Sequence, residues 1–234
     1  MANNALEFIA KYKFIYLLAA LLLFLLIHPL FEHLVFARIL LQILDSAVLV
    51  TAIYAVSQNR KLLIFGILLL LPAMIGSWSL YVIEIPALEL MARSFSALFF
   101  AFAATVMMLN VFSEEEVTVD TISGAICVYL MMGLTWAFIY SVIEFLAPGS
   151  FTINKVPLSL GGDRYYEIPL FLYYSFVTLT TLGYGDITPL TPPARAFSYV
   201  EAIIGQIFVA VLIARLVGLH IARSTSKDSD RSIG

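Results

Sequence analysis

The sequence predicts an all-α membrane protein of six spanning helices plus one shorter helix that enters the bilayer without crossing it. Three observations predict this. Of 234 residues, 62% are apolar and 12% charged, with a mean hydropathy of +0.97, far more than a water-soluble core of this size requires. The apolar residues fall into six long runs divided by polar turns. Between the fifth and sixth lies a short apolar run, Pro169 to Leu179, followed by the glycine-punctuated stretch TTLGYGD, Thr180 to Asp186.

Lys11 and Lys13 precede the first run, Phe14 to Phe31. His28, Pro29 and Glu32 follow where a signal peptide would place small residues for cleavage, so the run reads as a membrane helix. The second run spans Val35 to Ser57, and the turn SQNRK leads into the third, Leu62 to Trp78. Pro72 and Gly76 lie inside that third run, where neighbouring membrane helices can satisfy the freed backbone groups. A loop with Glu84, Pro86 and Glu89 precedes the fourth run, Leu90 to Phe112. Ser113 and Glu116 have the spacing of a capping box, with Asp120 and Thr121 as further caps for the fifth run, Ile122 to Leu146. Pro148 to Glu167 is a polar excursion, and a proline-marked turn at Pro189, Pro192 and Pro193 opens the sixth run, which ends at Leu219.

The expected organisation is a four-helix membrane unit (1–112), an acidic linker (113–121), a second membrane unit (122–219) and a short polar tail (220–234) read as disordered, with no folded soluble domain. Lys11, Lys13, Arg60, Lys61, Arg223, Lys227 and Arg231 fall on the side of both termini, against Arg38, Lys155, Arg164 and Arg195 opposite, which predicts cytoplasmic ends. The net charge of −3 is too small to bear on nucleic acid, but no basic stretch with interleaved aromatics appears, and no nucleic-acid partner is expected. The single cysteine, Cys127, cannot form a disulfide within the chain.

A helix from Pro169 to Thr180 is about 18 Å long, enough to reach mid-bilayer. Its carbonyl end carries partial negative charge, which favours a cation there. Gly183 and Gly185, flanking Tyr184, permit left-handed backbone angles, so that successive carbonyl oxygens face one way and replace the water shell of a bare cation. One strand supplies one side of such a cage, so the reading requires four chains around a common axis.

TLGYGD resembles the filter of the potassium-channel family, whose signature TVGYG is the standard example of selection by backbone carbonyls, with Leu182 here where valine is commonest. The resemblance implies potassium ions held by the carbonyls of Thr181, Leu182, Gly183 and Tyr184 and the Thr181 hydroxyl, with Gly185 completing the filter. It also implies a homotetramer in membrane lipid, no reaction catalysed, and no cofactor beyond the permeant potassium ions. Tyr173 and Tyr174 match two positions that are tryptophans in many members, an aromatic cuff from which a phenol could reach Asp186. Val177 stands where some members carry a glutamate that contacts this aspartate. The similarity extends along EAIIGQIFVAVLIARLVG, Glu201 to Gly218, where Gly205 matches a gating hinge or else is a small residue for close packing. Glu201 and Gln206 are expected to face protein or an aqueous cavity, and Arg215 to snorkel.

The resemblance covers Ile122 to Gly218; the first half matches only in helix number and order. Arg93 is the one arginine of the fourth run, where voltage-gated members repeat it every third residue, so strong voltage gating is not expected. Asp45, inside the second run, is expected to pair with Arg93 or Arg38, the alternative being a proton-sensing carboxylate. The rivals to a potassium channel are a non-selective cation channel and, from another class, a carrier or membrane scaffold. Size and the absence of cytoplasmic domains suggest a bacterial plasma membrane, and no soluble partner is expected.

Overall fold

In the computed structural model the described residues are 13–31, 37–56, 59–79, 85–114, 117–153, 156–158 and 167–233. The first four helices are α1 (Lys13–Phe31), α2 (Ala37–Val56), α3 (Arg60–Ser79) and α4 (Pro86–Ser113). After them come α5 (Val119–Leu146), strands β1 (Phe151–Ile153) and β2 (Val156–Pro157), α6 (Glu167–Leu179), β3 (Ile187–Pro189) and α7 (Pro192–Ile233). Among the described residues, Arg60–Trp78, Pro86–Ser113, Val119–Leu146 and Pro192–Leu219 are long and apolar enough to cross a bilayer. This is an integral membrane protein, mostly helical.

α5 is the centre of the packing: it lies against α1, α4, α6 and α7. Its buried face, Cys127, Val128, Met131, Leu134, Ala137 and Tyr140, is almost entirely withdrawn from solvent. In the front half, helices approach through small residues. Ala52, Ala55 and Ala73 are fully buried, and a Cβ added at Gly76 would lie 2.5 Å from that of Ala92. Small contacts let backbones come close where lipid gives no hydrophobic reason to associate.

The helix ends are set differently from the sequence expectation. Thr118 caps α5, accepting the Thr121 amide at 3.1 Å, while Asp120 sits in the first turn and accepts the Phe14 amide of α1 at 3.2 Å. Ser113 instead closes α4, its hydroxyl donating to the Asn110 carbonyl, and Glu116 lies outside the described residues. Thr118 has the extended backbone a cap requires, whereas Asp120 and Thr121 are already helical. The tail also departs from expectation: α7 continues to Ile233. No glycine or proline interrupts His220 to Ile233, and extending a formed helix needs no new nucleus.

The polar excursion supplies β1 and β2, which with β3 from beyond Asp186 form a small antiparallel sheet of order β2-β1-β3. Thr152 pairs with Thr188 in its centre, and their hydroxyls meet at 2.7 Å.

Candidate functional site

α6 runs from Glu167 to Leu179 with Pro169 in its first turn, where a missing N–H is harmless. At its C-terminus the chain reverses. The Thr181 amide donates to the Thr178 carbonyl (2.9 Å), and the amides of Leu182 and Gly183 both donate to the Val177 carbonyl (2.9 and 3.3 Å). The first three donors of the strand are thus turned onto the end of α6. Its acceptors are left over: among the described residues no donor reaches the carbonyl oxygens of Thr181, Leu182, Gly183 or Tyr184.

The backbone alternation is regular, with positive φ at Thr181 (58°), Gly183 (59°) and Gly185 (77°). The glycines adopt it freely. Thr181, which has a Cβ, holds it at about 1–2 kcal/mol, so the surrounding structure must enforce it. The whole stretch from Thr180 to Gly185 is exposed in the single chain, Tyr184 at 66%.

Of two tyrosines of α6, one reaches the residue that follows the strand and the other ties α6 to α7. The Tyr173 hydroxyl donates to Asp186 Oδ2 at 2.7 Å, as the sequence suggested, and this bond holds the Asp186 carboxyl below its usual range. Tyr174 reaches Ser198 of α7 at 2.7 Å. Because the Ser198 hydroxyl donates to the Ala194 carbonyl, the phenol is the donor of that pair. Tyr174 also packs edge-on against Tyr140 and Phe151, with ring centroids 5.0 and 5.4 Å away. Val177 is buried and serves through its backbone.

On α7, a Cβ added at Gly205 would lie 2.5 Å from the Leu179 carbonyl oxygen and 2.9 Å from Leu179 Cδ1. The glycine therefore allows α7 to touch the end of α6, inside an uninterrupted helix. The Tyr129 hydroxyl reaches the same Leu179 carbonyl at 3.3 Å, and Gln206 Nε2 lies 3.4 Å from Thr181 Oγ1.

Arg93 does not pair with Asp45. Its guanidinium is engaged by Glu89, one turn earlier on α4, donates to the Ser141 carbonyl at 3.1 Å and lies 5.6 Å from the Phe145 ring. An i,i+4 partner is preassembled by the helix itself and wins over one on another element. Asp45 is half-buried and makes no ion pair among the described residues; the Arg38 side chain lies outside them. Arg215 donates to the Glu114 carbonyl at 2.6 Å and stacks over Phe112 at 4.8 Å. It thereby joins the end of α4 to the middle of α7.

Two carboxylates are more central than the sequence indicated. Glu144, fully buried, accepts the amides of Gly149 (2.6 Å) and Phe151 (3.0 Å) and so fixes the turn into β1. Glu201, also fully buried, accepts the Tyr140 hydroxyl at 2.5 Å and lies 2.5 Å from Ser175 Oγ. The available signal was an acid inside an apolar run; its partners are 26 and 61 residues away, beyond what spacing can show.

A family model described as "Ion channel" matches residues 117–220. The chain is 40% identical over 89 residues to two pore potassium channel c of Oryza sativa subsp. japonica, covering 38% of this chain and 16% of that protein's length. It is 32% identical over 109 residues to protein LctB of Bacillus caldotenax, 47% of this chain and 79% of LctB. Against the human A-type voltage-gated potassium channel KCND3 it is 29% identical over 90 residues, 38% of this chain and 12% of that one. All three alignments are shorter than half of this chain, and the ion-channel match falls on the segment from the α5 cap to the middle of α7, which holds the strand, its tyrosine supports and both buried carboxylates. The chain belongs to the potassium-channel family.

Proposed function

We propose that four copies of this chain form a potassium-selective pore in which Thr181 to Gly185 line the conduction path. As a potassium channel the protein is not an enzyme; ions cross down their own gradient. The observation that carries the selective reading is the strand itself: positive φ alternates at 181, 183 and 185 while the amides of Thr181, Leu182 and Gly183 are spent on α6, leaving the carbonyls from Thr181 to Tyr184 unclaimed among the described residues. Potassium is the permeant ligand of those oxygens and of the Thr181 hydroxyl, and no other cofactor is needed.

Fourfold assembly is supported by exposure. Only 11% of the α7 span is buried in the single chain, against 50% for α4 and α5, and irregular backbone at membrane depth must be covered by protein or line water. α1 and α2, 19 and 20 residues long, would complete six spans, with both termini cytoplasmic in a bacterial plasma membrane. Gating is not steeply voltage-dependent in this reading. One arginine per subunit, moved across the whole field, couples about 2.3 kcal/mol per 100 mV, and Arg93 is tied to Glu89 on its own helix.

The test is reversal potential in reconstituted bilayers with opposed potassium and sodium gradients, alongside native mass. A potential following potassium and a tetrameric mass are expected. Equal sodium permeation would move the protein to the non-selective class, and slow saturable flux without unitary steps would make it a carrier.

A further inference from the structure

The hydroxyls around Glu201 do not carry enough protons for an ionised carboxylate. Ser175 Oγ lies 2.8 Å from the Gly133 carbonyl oxygen of α5 and 2.5 Å from Glu201 Oε1 of α7. The serine has one proton and both neighbours are acceptors. If Glu201 were charged, one of these two short oxygen contacts would hold no hydrogen. Tyr140 spends its one proton on Glu201 Oε2 at 2.5 Å and cannot help.

One additional proton completes the set. With a proton on Oε1, Glu201 donates to Ser175 Oγ, Ser175 donates to the Gly133 carbonyl, and Tyr140 donates to Oε2. Three oxygen contacts then hold three hydrogens. Burial argues the same way, since Glu201 is fully withdrawn from solvent and an unpaired charge there is expensive.

The groups on the three packed elements offer no counter-charge. On α5, Glu144 is engaged by the amides of Gly149 and Phe151, and the Tyr129 hydroxyl by Leu179. On α6, the Tyr174 hydroxyl is on Ser198. On α7, Arg195 donates to the Pro189 carbonyl. Among the described residues no lysine, arginine or histidine donates to Glu201.

We propose that Glu201 is a positioning residue that works as a neutral acid, locking α5, α6 and α7 together behind the filter through Tyr140 and Ser175. Ser175 sits one turn before Leu179, whose carbonyl receives α7 at Gly205, so releasing the serine frees the end of α6 on which the filter amides depend. This rests on the reading of Thr181 to Gly185 as a potassium filter. Loss of the proton leaves two facing acceptors at Ser175, so the lock holds at neutral pH and opens as pH rises.

Two measurements separate this inference from the channel reading beneath it. Difference infrared spectra of the full chain should show a protonated-carboxyl band at neutral pH that vanishes in Glu201→Gln and shifts upward in Ser175→Ala, where Oε1–H loses its acceptor. A spectrum unchanged by both variants overturns the inference whether or not the protein conducts. In liposomes, wild-type potassium flux should fall at alkaline pH, each unit beyond the midpoint lowering the neutral fraction about tenfold. Glu201→Gln, whose amide donates to Ser175 and accepts from Tyr140, should keep the neutral-pH flux and lose the alkaline fall; Glu201→Ala should lose flux. A flat wild-type profile, or the same fall in Glu201→Gln, overturns the positioning role. Absence of flux in wild type together with the expected band would overturn the channel reading alone.

Discussion

The two halves of the chain are held together in different ways. From α5 onward, elements distant in sequence are joined by named polar groups: Tyr140 and Ser175 on Glu201, Tyr173 on Asp186, Tyr174 on Ser198, and Thr152 on Thr188. In α1 to α4 the described packing is mainly of apolar and small side chains, as at Ala52, Ala55, Ala73 and the Gly76–Ala92 contact. In lipid, apolar packing distinguishes weakly between neighbouring arrangements, whereas a hydrogen-bonded pair fixes one. The polar ties are concentrated where a displacement of an ångström would move a carbonyl oxygen of the Thr181 to Tyr184 strand.

The strongest way to break that contrast is to remove Glu144. Glu144→Ala leaves the Gly149 and Phe151 amides without their acceptor, at about 1–3 kcal/mol for each unsatisfied group. The expected result is a large fall in thermal unfolding temperature in detergent and loss of the turn into β1. A variant that melts with wild type would mean the turn is held by its backbone pairing instead.

Next in size is a matched pair of glycines. Gly205→Ala and Gly76→Ala each place a Cβ 2.5 Å from a neighbour, and overpacking of this kind costs about 1–3 kcal/mol. Both should lower stability. Only Gly205→Ala should also alter the potassium-to-sodium permeability ratio, because its obstacle is the Leu179 carbonyl, just before the strand proposed as the filter. A Gly76→Ala channel with changed selectivity would erase the distinction between the halves.

Arg215 is the one described side chain whose bond ties α7 to the end of α4, and Arg215→Ala should cost about 1 kcal/mol through the lost carbonyl bond and ring contact. Open probability should change while the reversal potential stays put. Altered selectivity in this variant would show that the front half reaches the filter directly.

The same contrast explains what could be read in advance. Helix positions followed from apolar runs because membrane thickness dictates length and composition together. The left-handed positions of the strand were legible where left-handed backbone needs glycine, and Gly183 and Gly185 advertise it; Thr181, with φ 58° and a β-branched side chain, does not. Tyr173 on Asp186 was within reach of reasoning since 13 residues span one helix and one strand. The sheet escaped because β1 and β3 are three residues each, too short for an alternation to show. Asp45 and Arg93 were matched by charge and by similar depth in the helix stack, and the helix supplied Glu89 first.

The smallest expected effect concerns Tyr173 and acid. Its hydroxyl holds the Asp186 carboxyl below the usual range, about 3.9 for an aspartate, so the contact is complete at neutral pH and is lost as pH falls through the lowered value. Tyr173→Phe removes the donor while keeping the ring, and the carboxyl should then take up a proton at a higher pH. Both groups lie toward solvent, so the change in stability is slight and the readout is titration. External acidification should halve potassium flux at a higher pH in Tyr173→Phe than in wild type, while Asp45→Asn, in the half without polar ties to the filter, should leave that midpoint where it was. If the two variants move it equally, the acid response does not originate at the outer end of the filter, and the phenol is a packing ring whose hydroxyl merely lies near Asp186.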